Sequence, residues 1–393
     1  MSVQIAPEAL RARVARILAR AGSAPAEAAQ VADNLVLANL SGHDSHGVGM
    51  VPRYVDAVLE GALRPNTSAR VTLDTGTLLG VDGQQGYGQI TGVQAMEWAI
   101  ARAQQHGSCI MTLGRSHHLG RIGHFAEMAV AQGLVALHFV NVLSRPVVAP
   151  WGGGDGRFGT NPCCIGVPLP DQPPFVLDFA TSRVAQGKMR VAHNKGERVP
   201  EGLLIDALGR PTTDPGVVVV PQAEGLFGAL MTFGEHKGYG LAVACELLGG
   251  ALSGGGTWHQ PGDARRAVFN GMLCILIDPA RLLPGDRFAQ EARALSTGCA
   301  KARRPRATRR CWWPASPSAR CARPAPPRSR STTPPGPSWR RPRTSCHETP
   351  GRGQPRALGA AGGACARLPP WRRLRGAAPG PGRLHARPPG HGL

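Results

Sequence analysis

Histidines concentrate in two short segments of the chain, and imidazole is the side chain best suited to exchange protons near neutral pH. Residues 42–47 read Gly-His-Asp-Ser-His-Gly, so an acid able to orient an imidazole ring lies between two histidines. Residues 116–124 contain three histidines and follow an apolar run that is typical of a strand. The two segments together predict a site that transfers protons.

Each histidine segment taken alone also has an ordinary explanation. A histidine beside an acid and a serine is most often an exposed residue next to a helix cap. Five histidines in two loops also allow a metal site, with His43 and His46 or His118 and His124 as ligands. Neither HExxH nor paired CxxC spacing is present to complete such a site.

Two further segments could contact a ligand. Residues 150–162 contain a Gly-Gly-Gly run and a Gly-Thr-Asn-Pro motif, and this density of glycine permits close approach of the backbone. They do not form GxGxxG at the start of a helix, so they give no support to a Rossmann fold. Residues 177–182 read Leu-Asp-Phe-Ala-Thr-Ser, an apolar strand that ends in acceptor and hydroxyl groups.

Lysine is rare in this chain. Three of the four lysines, Lys188, Lys195 and Lys237, fall within one window of 50 residues. In a protein that otherwise uses arginine, a compact ammonium group favours phosphate or carboxylate binding, with simple surface solvation as the alternative. Lys237 is expected just before a helix over residues 241–252, and the N-terminus of a helix favours phosphate.

The elements that must position these residues alternate between helices and strands. Helices over residues 7–21, 26–40 and 49–60 predict an N-terminal helical domain, residues 1–65. Residues 66–290 predict an α/β domain that binds cofactor and substrate. Its expected strands cover 69–73, 77–80, 109–113 and 134–140, and its helices cover 88–105, 123–132 and 241–252.

The segment from Thr297 to Leu393 differs in composition from the rest of the chain. It holds 20 Arg, one Lys and a single acid, Glu348, and so carries the whole net charge of +20. It has 18 of the 36 prolines and no Val, Ile, Phe, Met or Tyr, so we expect it to be disordered. A genuine tail of this kind would suit nucleic acid or another anionic surface.

A shift of reading frame is the favoured explanation of the same segment. When the codons of residues 311–314, Cys-Trp-Trp-Pro, are regrouped by one base, they can encode an apolar run that ends in Leu-Val-Ala. Residues 332–340 regroup in the same way into a sequence typical of a loop and the start of a helix. Both explanations of residues 297–393 stay open.

The first 296 residues have the charge balance of a soluble enzyme. Subtracting the 21 basic residues and one acid of the tail from totals of 45 and 25 leaves 24 of each. The five cysteines in this part have no regular framework, which indicates a reduced, cytoplasmic setting. We expect neither a membrane span nor a signal peptide, because no apolar run is long enough and residues 5–21 place arginines between apolar residues.

In combination and in order, the motifs resemble the type-2 malate/L-lactate dehydrogenases, a family of NAD(P)-dependent 2-hydroxyacid oxidoreductases. The resemblance extends from about residue 6 to residue 287. It implies a non-Rossmann α/β fold, in which a helical domain packs beside a mixed-sheet cofactor domain, and a homodimer. It rests on the runs Asp44-Ser45-His46-Gly47, His118-Leu119-Gly120, Pro150-Trp151-Gly152-Gly153, Gly159-Thr160-Asn161-Pro162, Asp178-Phe179-Ala180-Thr181-Ser182, Gly187-Lys188, Thr213-Asp214-Pro215 and Lys237-Gly238-Tyr239-Gly240-Leu241.

The resemblance also implies roles for individual residues. His46 and His118 are the candidates for the proton donor and acceptor, ranked together, and Arg53 would hold the carboxylate of a small 2-oxoacid. We expect neither nucleic acid nor a membrane as a partner, and no metal. The residues that would contact NAD or NADP are His46, Gly120, Arg121, Ile122, Ser144, Asp178, Phe179, Ala180, Thr181, Lys237 and Gly238.

One position departs from the family pattern. Many relatives have Arg three residues after the Gly of Ser-His-Gly, where this chain has Met50. The run over residues 43–50 looks closest to the hydroxycarboxylate dehydrogenase branch, which implies substrates bulkier or less charged than malate. The alternatives are an inactive remnant of such an enzyme, a nucleic-acid binder that acts through the tail, and a metal-dependent hydrolase or lyase.

Overall fold

The computed structural model of this protein describes residues 4–169, 171–259, 267–283 and 285–301. The Arg/Pro-rich segment from residue 302 onward lies outside the described residues, and so do the expectations of disorder, of nucleic-acid binding and of a shifted frame there.

Nine α-helices occur in the described part of the chain. Pro7 and Pro25 occupy the first positions of the first two helices, where a missing N–H is not costly. The longest helix ends at Gly107, whose φ of +87° forms a left-handed C-cap that suits glycine. The helices are α1 (Pro7–Arg20), α2 (Pro25–Leu40), α3 (Val51–Leu59), α4 (Gly88–His106), α5 (Gly123–Ala131), α6 (Gln186–Asn194), α7 (His236–Cys245), α8 (Pro279–Leu282) and α9 (Arg287–Ala300).

Ten strands form two sheets within the same described ranges. They are β1 (Arg70–Asp74), β2 (Leu78–Asp82), β3 (Ser108–His117), β4 (Val135–Leu143), β5 (Cys163–Val167), β6 (Phe175–Phe179), β7 (Leu204–Ile205), β8 (Pro211–Thr212), β9 (Ala229–Leu230) and β10 (Phe269–Ile277). The large sheet has the order β1-β2-β3-β10-β4-β5-β6, and the small sheet has the order β8-β7-β9.

The large sheet is mixed, and its strand pairing confirms the expected non-Rossmann α/β class. The pair β2 and β3 is parallel, whereas the other pairs of this sheet are antiparallel. A doubly wound Rossmann sheet would consist mostly of parallel strands. The late strand β10 lies between β3 and β4, with Phe269 opposite both His117 and Leu143.

Helices α4 and α5 cover one face of the large sheet and form the main apolar core with it. Met96 of α4 and Phe125 of α5 are fully buried against Met111, Met272 and other alternate residues of the central strands. Gly92 of α4 allows the close approach of the two helices, because a Cβ there would lie 2.7 Å from the ring of Phe125. The alternation along the strands therefore places one set of side chains in this core.

We expect Phe125→Ala to lower the free energy of unfolding by about 3–5 kcal/mol, because it leaves a cavity in a core that is already close-packed. Urea unfolding of the wild type and the variant measures the loss. Leu59→Ala is the matched control, since Leu59 is 78% exposed and its truncation should cost less than about 0.5 kcal/mol. Similar losses for the two variants would contradict the packing described here.

The N-terminal helices form a second core with residues from later in the chain. Leu18, Leu35 and Tyr54 of α1, α2 and α3 are fully buried and pack together with Tyr87 and with Phe269 of β10. The helices are thus attached to the sheet by shared side chains. The loops between them are thereby held beside the sheet.

Two boundaries differ from the sequence expectation. The helix expected from residue 241 begins at His236 and continues into a π-helical turn, Glu246–Ala251, so Lys237 lies inside its first turn and not before it. Glu235 precedes the helix with a φ of 57°, a conformation that propensity alone does not indicate for glutamate. Helix α9 also continues past the composition break at Thr297 and ends at Ala300.

Candidate active site

A cavity of about 800 Å³ brings together most of the residues predicted from the sequence. Its walls come from the loop between α2 and α3, the turn after β3, the ends of β4 and β6, and the start of α6. The predicted site residues that line it are His46, Arg53, His118, Gly120, Arg121, Ile122, Ser144, Asp178, Phe179 and Ala180. The two histidine segments, which lie about seventy positions apart in the sequence, thus meet in one cavity.

His46 and His118 form a stacked pair in this cavity. Their ring centroids lie 5.5 Å apart and their planes differ by 12°. Ser45 Oγ lies 3.0 Å from Nδ1 of His46, and Tyr54 Oη lies 2.7 Å from Nδ1 of His118. No described residue hydrogen-bonds Nε2 of either ring. Each ring therefore has one nitrogen held by the protein and one left for a ligand.

The loop that carries His46 is tied to helix α2 through Asn39. The amide nitrogen of Asn39 donates to Asp44 Oδ1 at 2.6 Å, and its Oδ1 accepts from the backbone N–H of Val48 at 2.8 Å. Gly47 lies so close to this side chain that a Cβ there would be 2.1 Å from Asn39 Oδ1. The Gly of the Ser-His-Gly motif is therefore required for the loop to pack on α2.

The turn that carries His118 is held by strand β10. Asn270 Oδ1 accepts from the backbone N–H of Leu119 at 2.8 Å, and Asn270 Nδ2 donates to the carbonyl of Asn141 at 2.8 Å. Asn270 is 4% exposed and also lines the cavity. No local sequence pattern indicates a role for this residue, because its partners lie on β4 and on the turn after β3, more than a hundred positions away.

Burial lowers the pKa of both stacked histidines. The pKa of His46 falls to about 4, first by desolvation and then by the nearby charges of His43 and Arg121. The pKa of His118 falls well below its usual value, first by desolvation and then by repulsion from His46, His117 and Arg53. Both rings are therefore neutral in the free protein at pH 7, and a bound anion would raise the pKa of each.

Positive charge without a matching carboxylate surrounds Arg53. Arg53 lines the cavity while part of its side chain stays open to solvent, and no salt bridge joins it to a described carboxylate. Its pKa is lowered by partial desolvation and by the neighbouring charge of Arg190, and the pKa of Arg145 is lowered first by burial and then by the charge of Arg53. Three guanidinium groups that repel one another favour an anionic ligand.

Arg121 and Asp178 form a polar wall beside the histidines. Arg121 is 3% exposed and makes two hydrogen bonds with Glu127, at 3.0 and 2.6 Å, so its charge is already balanced. Asp178 Oδ2 accepts from the backbone N–H of Gly123 at 2.7 Å, at the first residue of α5. A carboxylate here can accept hydrogen bonds from hydroxyl groups of a ligand.

Asp178 should make folding stability depend on pH. Burial raises its pKa to about 6, so between about pH 4 and pH 6 the folded protein keeps a proton that the unfolded chain has released. Stability contributed by this group is therefore lost as the pH rises through that window, by roughly 1–3 kcal/mol. Buried histidines such as His46, whose pKa is lowered, act in the opposite direction in both proteins, so the loss is measured as the difference in urea unfolding between the wild type and Asp178→Asn from pH 4 to pH 7.5.

The control for this prediction is Asp278→Asn. Asp278 also accepts a hydrogen bond from a backbone N–H, that of Ala280, at 3.0 Å, but it is not part of the cavity. Its variant should keep the wild-type dependence on pH. Parallel curves for Asp178→Asn and the wild type would contradict the raised pKa.

Three predicted cofactor residues do not line the cavity. Thr181 is fully buried, and its hydroxyl donates to the carbonyl of Thr160 at 3.0 Å. Lys237 is exposed in the first turn of α7, and Gly238 is buried so tightly that a Cβ would lie 2.1 Å from the carbonyl oxygen of Phe233. Their roles stay predictions.

Helix α6 supplies cavity residues that the sequence reasoning did not assign to the site. Gln186, Gly187 and Lys188 line the cavity, and Gly187 lies against the His46 loop, since a Cβ there would be 2.8 Å from Cβ of Ser45. In the sequence, Lys188 is part of the lysine cluster and of the Gly187-Lys188 family run, but neither observation assigns it a role. The Gly187-Lys188 pair was the available sequence signal for these cavity residues. No helix was predicted around it, so its position in the site could not be inferred.

The described part of the chain was also searched for metal ligands and for membrane-spanning helices. No group of three or more His, Cys, Asp or Glu side chains there could hold a metal ion, so the proposed pairs His43–His46 and His118–His124 gain no further ligand. Among the same residues no helix has both the length and the apolar character needed to cross a bilayer.

Comparison with known proteins identifies the family of this chain. A sequence model of the Malate/L-lactate dehydrogenase family matches residues 5–325. The chain belongs to this family. Hydroxycarboxylate dehydrogenase B of Escherichia coli is 47% identical over 285 residues, which cover 72% of this chain and 78% of that protein. L-lactate dehydrogenase of Cupriavidus necator is 46% identical over 286 residues, 72% of this chain and 80% of that protein.

The fold is also that of solved members of the Malate/L-lactate dehydrogenase family. The structure of malate dehydrogenase from Pyrococcus horikoshii superimposes with a TM-score of 0.68 at 32% identity, and covers 81% of this chain and 88% of that chain. The non-Rossmann dehydrogenase fold implied by the motifs is thereby confirmed.

Proposed function

We propose that this chain is an NAD(P)-dependent oxidoreductase that interconverts a small 2-oxoacid and the corresponding 2-hydroxyacid. The observation that carries the proposal is the stacked pair His46 and His118 beside Arg53, which has no described carboxylate partner, in one cavity. A proton-transferring group and a carboxylate-binding cation are the two requirements of this chemistry. The names of the relatives, which include hydroxycarboxylate, L-lactate and malate dehydrogenases, support it.

The cavity fits a dinucleotide cofactor in size and in the chemistry of its walls. Its volume of about 800 Å³ lies in the usual range for pockets that bury whole ligands, roughly 300–1,000 Å³. Asp178 presents an acceptor for hydroxyl groups, while Lys188 presents a cation for phosphate. When bound, a reduced nicotinamide would supply the hydride for C2 of the substrate.

The residues of this chain would bind and protonate the substrate. Arg53 holds the carboxylate through charge-assisted hydrogen bonds and thereby fixes the orientation of the 2-oxo group. The Nε2 atoms of His46 and His118, which have no described partner, would donate hydrogen bonds to the developing alkoxide, and one of the two rings would protonate it. The substrate carboxylate would raise the pKa of that ring, so binding favours the protonated state that the reduction consumes.

The wall beside His46 favours substrates without a second negative charge. Met50 lines the cavity and is 7% exposed, so this part of the wall is apolar. A dicarboxylic substrate would need a cation here to bind its second carboxylate. We propose monocarboxylic 2-oxoacids as the preferred class. The expected order of kcat/KM is an apolar 2-oxoacid above oxaloacetate, and Met50→Arg should reverse this order.

The direct test is an assay of the purified full chain for oxidation of NADH and of NADPH with a panel of 2-oxoacids. We expect turnover with at least one pair, without dependence on added metal or loss with chelator. No turnover with either cofactor would overturn the proposed activity and favour an inactive remnant.

Four further features belong to the same proposal and rest on the family resemblance. They are the choice between NAD and NADP, assembly as a homodimer, the domain limits at residues 65 and 290, and a cytoplasmic location.

A further inference from the structure

Three buried side chains from different elements form a chain of hydrogen bonds that ends at His118. Gln89 of α4 donates from Nε2 to Tyr54 Oη at 2.8 Å, and Tyr54 Oη lies 2.7 Å from Nδ1 of His118. Gln89 and Tyr54 are fully buried, and His118 is 8% exposed. Neither Gln89 nor Tyr54 lines the cavity, so they can act on a ligand only through the His118 ring.

The direction of these hydrogen bonds follows from the orientation of the Gln89 carboxamide. In the observed orientation its Oε1 is buried without a partner among the described residues. In the reversed orientation the amide nitrogen would occupy the position of Oε1 and bury two N–H donors there. Burying unpaired N–H donors costs more free energy than burying an unpaired carbonyl oxygen. An amide nitrogen can only donate, so Tyr54 accepts from Gln89. The other hydrogen bond of Tyr54 is to His118 Nδ1, and donating its hydrogen there avoids burying an unpaired O–H. Burial raises the pKa of Tyr54, so the phenol keeps that hydrogen.

We propose that Tyr54, oriented by Gln89, is a positioning residue that confines the hydrogen of neutral His118 to Nε2. A ring nitrogen that accepts a hydrogen bond carries no hydrogen, so Nε2–H points to the ligand as a fixed donor. This inference rests on the proposed function and divides the work between the two histidines. His118 donates a hydrogen bond to the 2-oxo oxygen, and His46 exchanges the proton.

The surroundings of His118 keep this arrangement in place. The Tyr54 ring packs edge-on against His117 at 5.3 Å and against Tyr87 at 5.8 Å, so it cannot swing away. The ionisable groups that face His118 are His46, His117, Arg53 and Tyr54, and none of them is a carboxylate. A proton on Nδ1 would break the hydrogen bond that Tyr54 donates to His118.

His46 has the freedom that His118 lacks. The partner of its Nδ1 is the hydroxyl of Ser45, which can donate or accept, so His46 Nε2 can gain and lose a proton without breaking a buried chain. The two roles therefore follow from the two partners. The hydroxyl of Ser45 can rotate, whereas the phenol of Tyr54 is held in one orientation.

The closing experiment is nitrogen NMR of the full chain labelled at histidine, with the wild type, Tyr54→Phe and His118→Gln, which identifies the His118 signals. We expect wild-type His118 to carry its hydrogen on Nε2 from pH 6 to pH 8, and Tyr54→Phe to show a mixture of the two tautomers. Tyr87→Phe is the control, since its hydroxyl contacts Ser23 and not His118. A wild-type hydrogen on Nδ1, or an unchanged tautomer in Tyr54→Phe, overturns the inference.

Activity measurements provide a second, separate test. We expect Tyr54→Phe to lower kcat about tenfold with KM for the cofactor unchanged. His118→Gln, which keeps a donor near the Nε2 position but cannot titrate, should retain at least about ten times the kcat of His118→Ala and the wild-type pH profile. Equal kcat for His118→Gln and His118→Ala would overturn the role as a fixed donor. If no 2-oxoacid is turned over, the NMR result still decides the tautomer.

Discussion

His46→Ala and His118→Ala are each expected to lower kcat for 2-oxoacid reduction by about a hundredfold or more. The reason is that the two rings stack at 5.5 Å in one cavity and leave both Nε2 atoms for the substrate. Removal of either ring takes away a donor to the developing alkoxide, and no other described side chain occupies its position. Steady-state kinetics with saturating cofactor measure the loss.

The control for this prediction is His106→Ala. His106 lies at the C-terminal end of α4, exposed and outside the cavity, so its loss should leave kcat within about twofold of the wild type. Small and equal losses for His46→Ala and His118→Ala would mean that the proton donor lies elsewhere. The assignment of both histidines would then be wrong.

Arg53→Met is expected to reduce kcat/KM for the 2-oxoacid by about a hundredfold to a thousandfold. A buried or partly buried charge-assisted pair between a guanidinium and a carboxylate contributes roughly 3–4 kcal/mol through its two hydrogen bonds. Arg121 cannot replace Arg53, because its charge is already paired with Glu127. Arg53→Lys should recover only part of the loss, since an ammonium group does not form the two parallel bonds.

The matched control for Arg53→Met is Arg70→Met. It changes the net charge of the protein by the same amount, but Arg70 lies on the edge strand β1 and pairs with Asp82. Its kinetic parameters should match the wild type. If Arg53→Met changes KM for the cofactor as much as KM for the 2-oxoacid, then Arg53 holds a phosphate and not the substrate carboxylate.

The elements whose pattern is local were predictable from the sequence. Helix α2 was expected over residues 26–40 and is observed over Pro25–Leu40, since Val31 and Leu35 recur at helical spacing. The strand expected over residues 134–140 is observed over Val135–Leu143, and it is longer because its last residues gain a partner in β10. The spacing of apolar residues along a helix or strand indicates which side chains are buried. This indication is clear where the element packs against a large surface.

The partners of each strand were not predictable. Nothing in residues 269–277 indicates that they pair with residues 108–117 on one side and 135–143 on the other. Such pairing depends on contacts between residues far apart in sequence, and many pairings bury a similar apolar area. The start of α7 at His236 was missed for a related reason, because the turn before it depends on the positive φ of Glu235.

The candidate site divides in the same way. His46, His118 and Arg53 were available from motifs, because groups that do chemistry have distinctive residue types. Tyr54 and Gln89 were not, because a tyrosine and a glutamine in helices look like any buried aromatic or surface amide. Their proposed role depends on the hydrogen bonds of 2.7 and 2.8 Å that join α3 to the turn after β3 and to α4, and these form only in the folded chain.

The central position of β10 also determines when this protein can fold during its synthesis. Strands β3 and β4 leave the ribosome more than a hundred residues before the strand that must separate them. Until then their inner edges are unpaired, and Asn270 is not yet present to hold the turn that carries His118. Domains that close early can fold as they are translated. Here the large sheet cannot close until residue 277 has emerged, so its completion must wait for the synthesis of nearly all of the described chain.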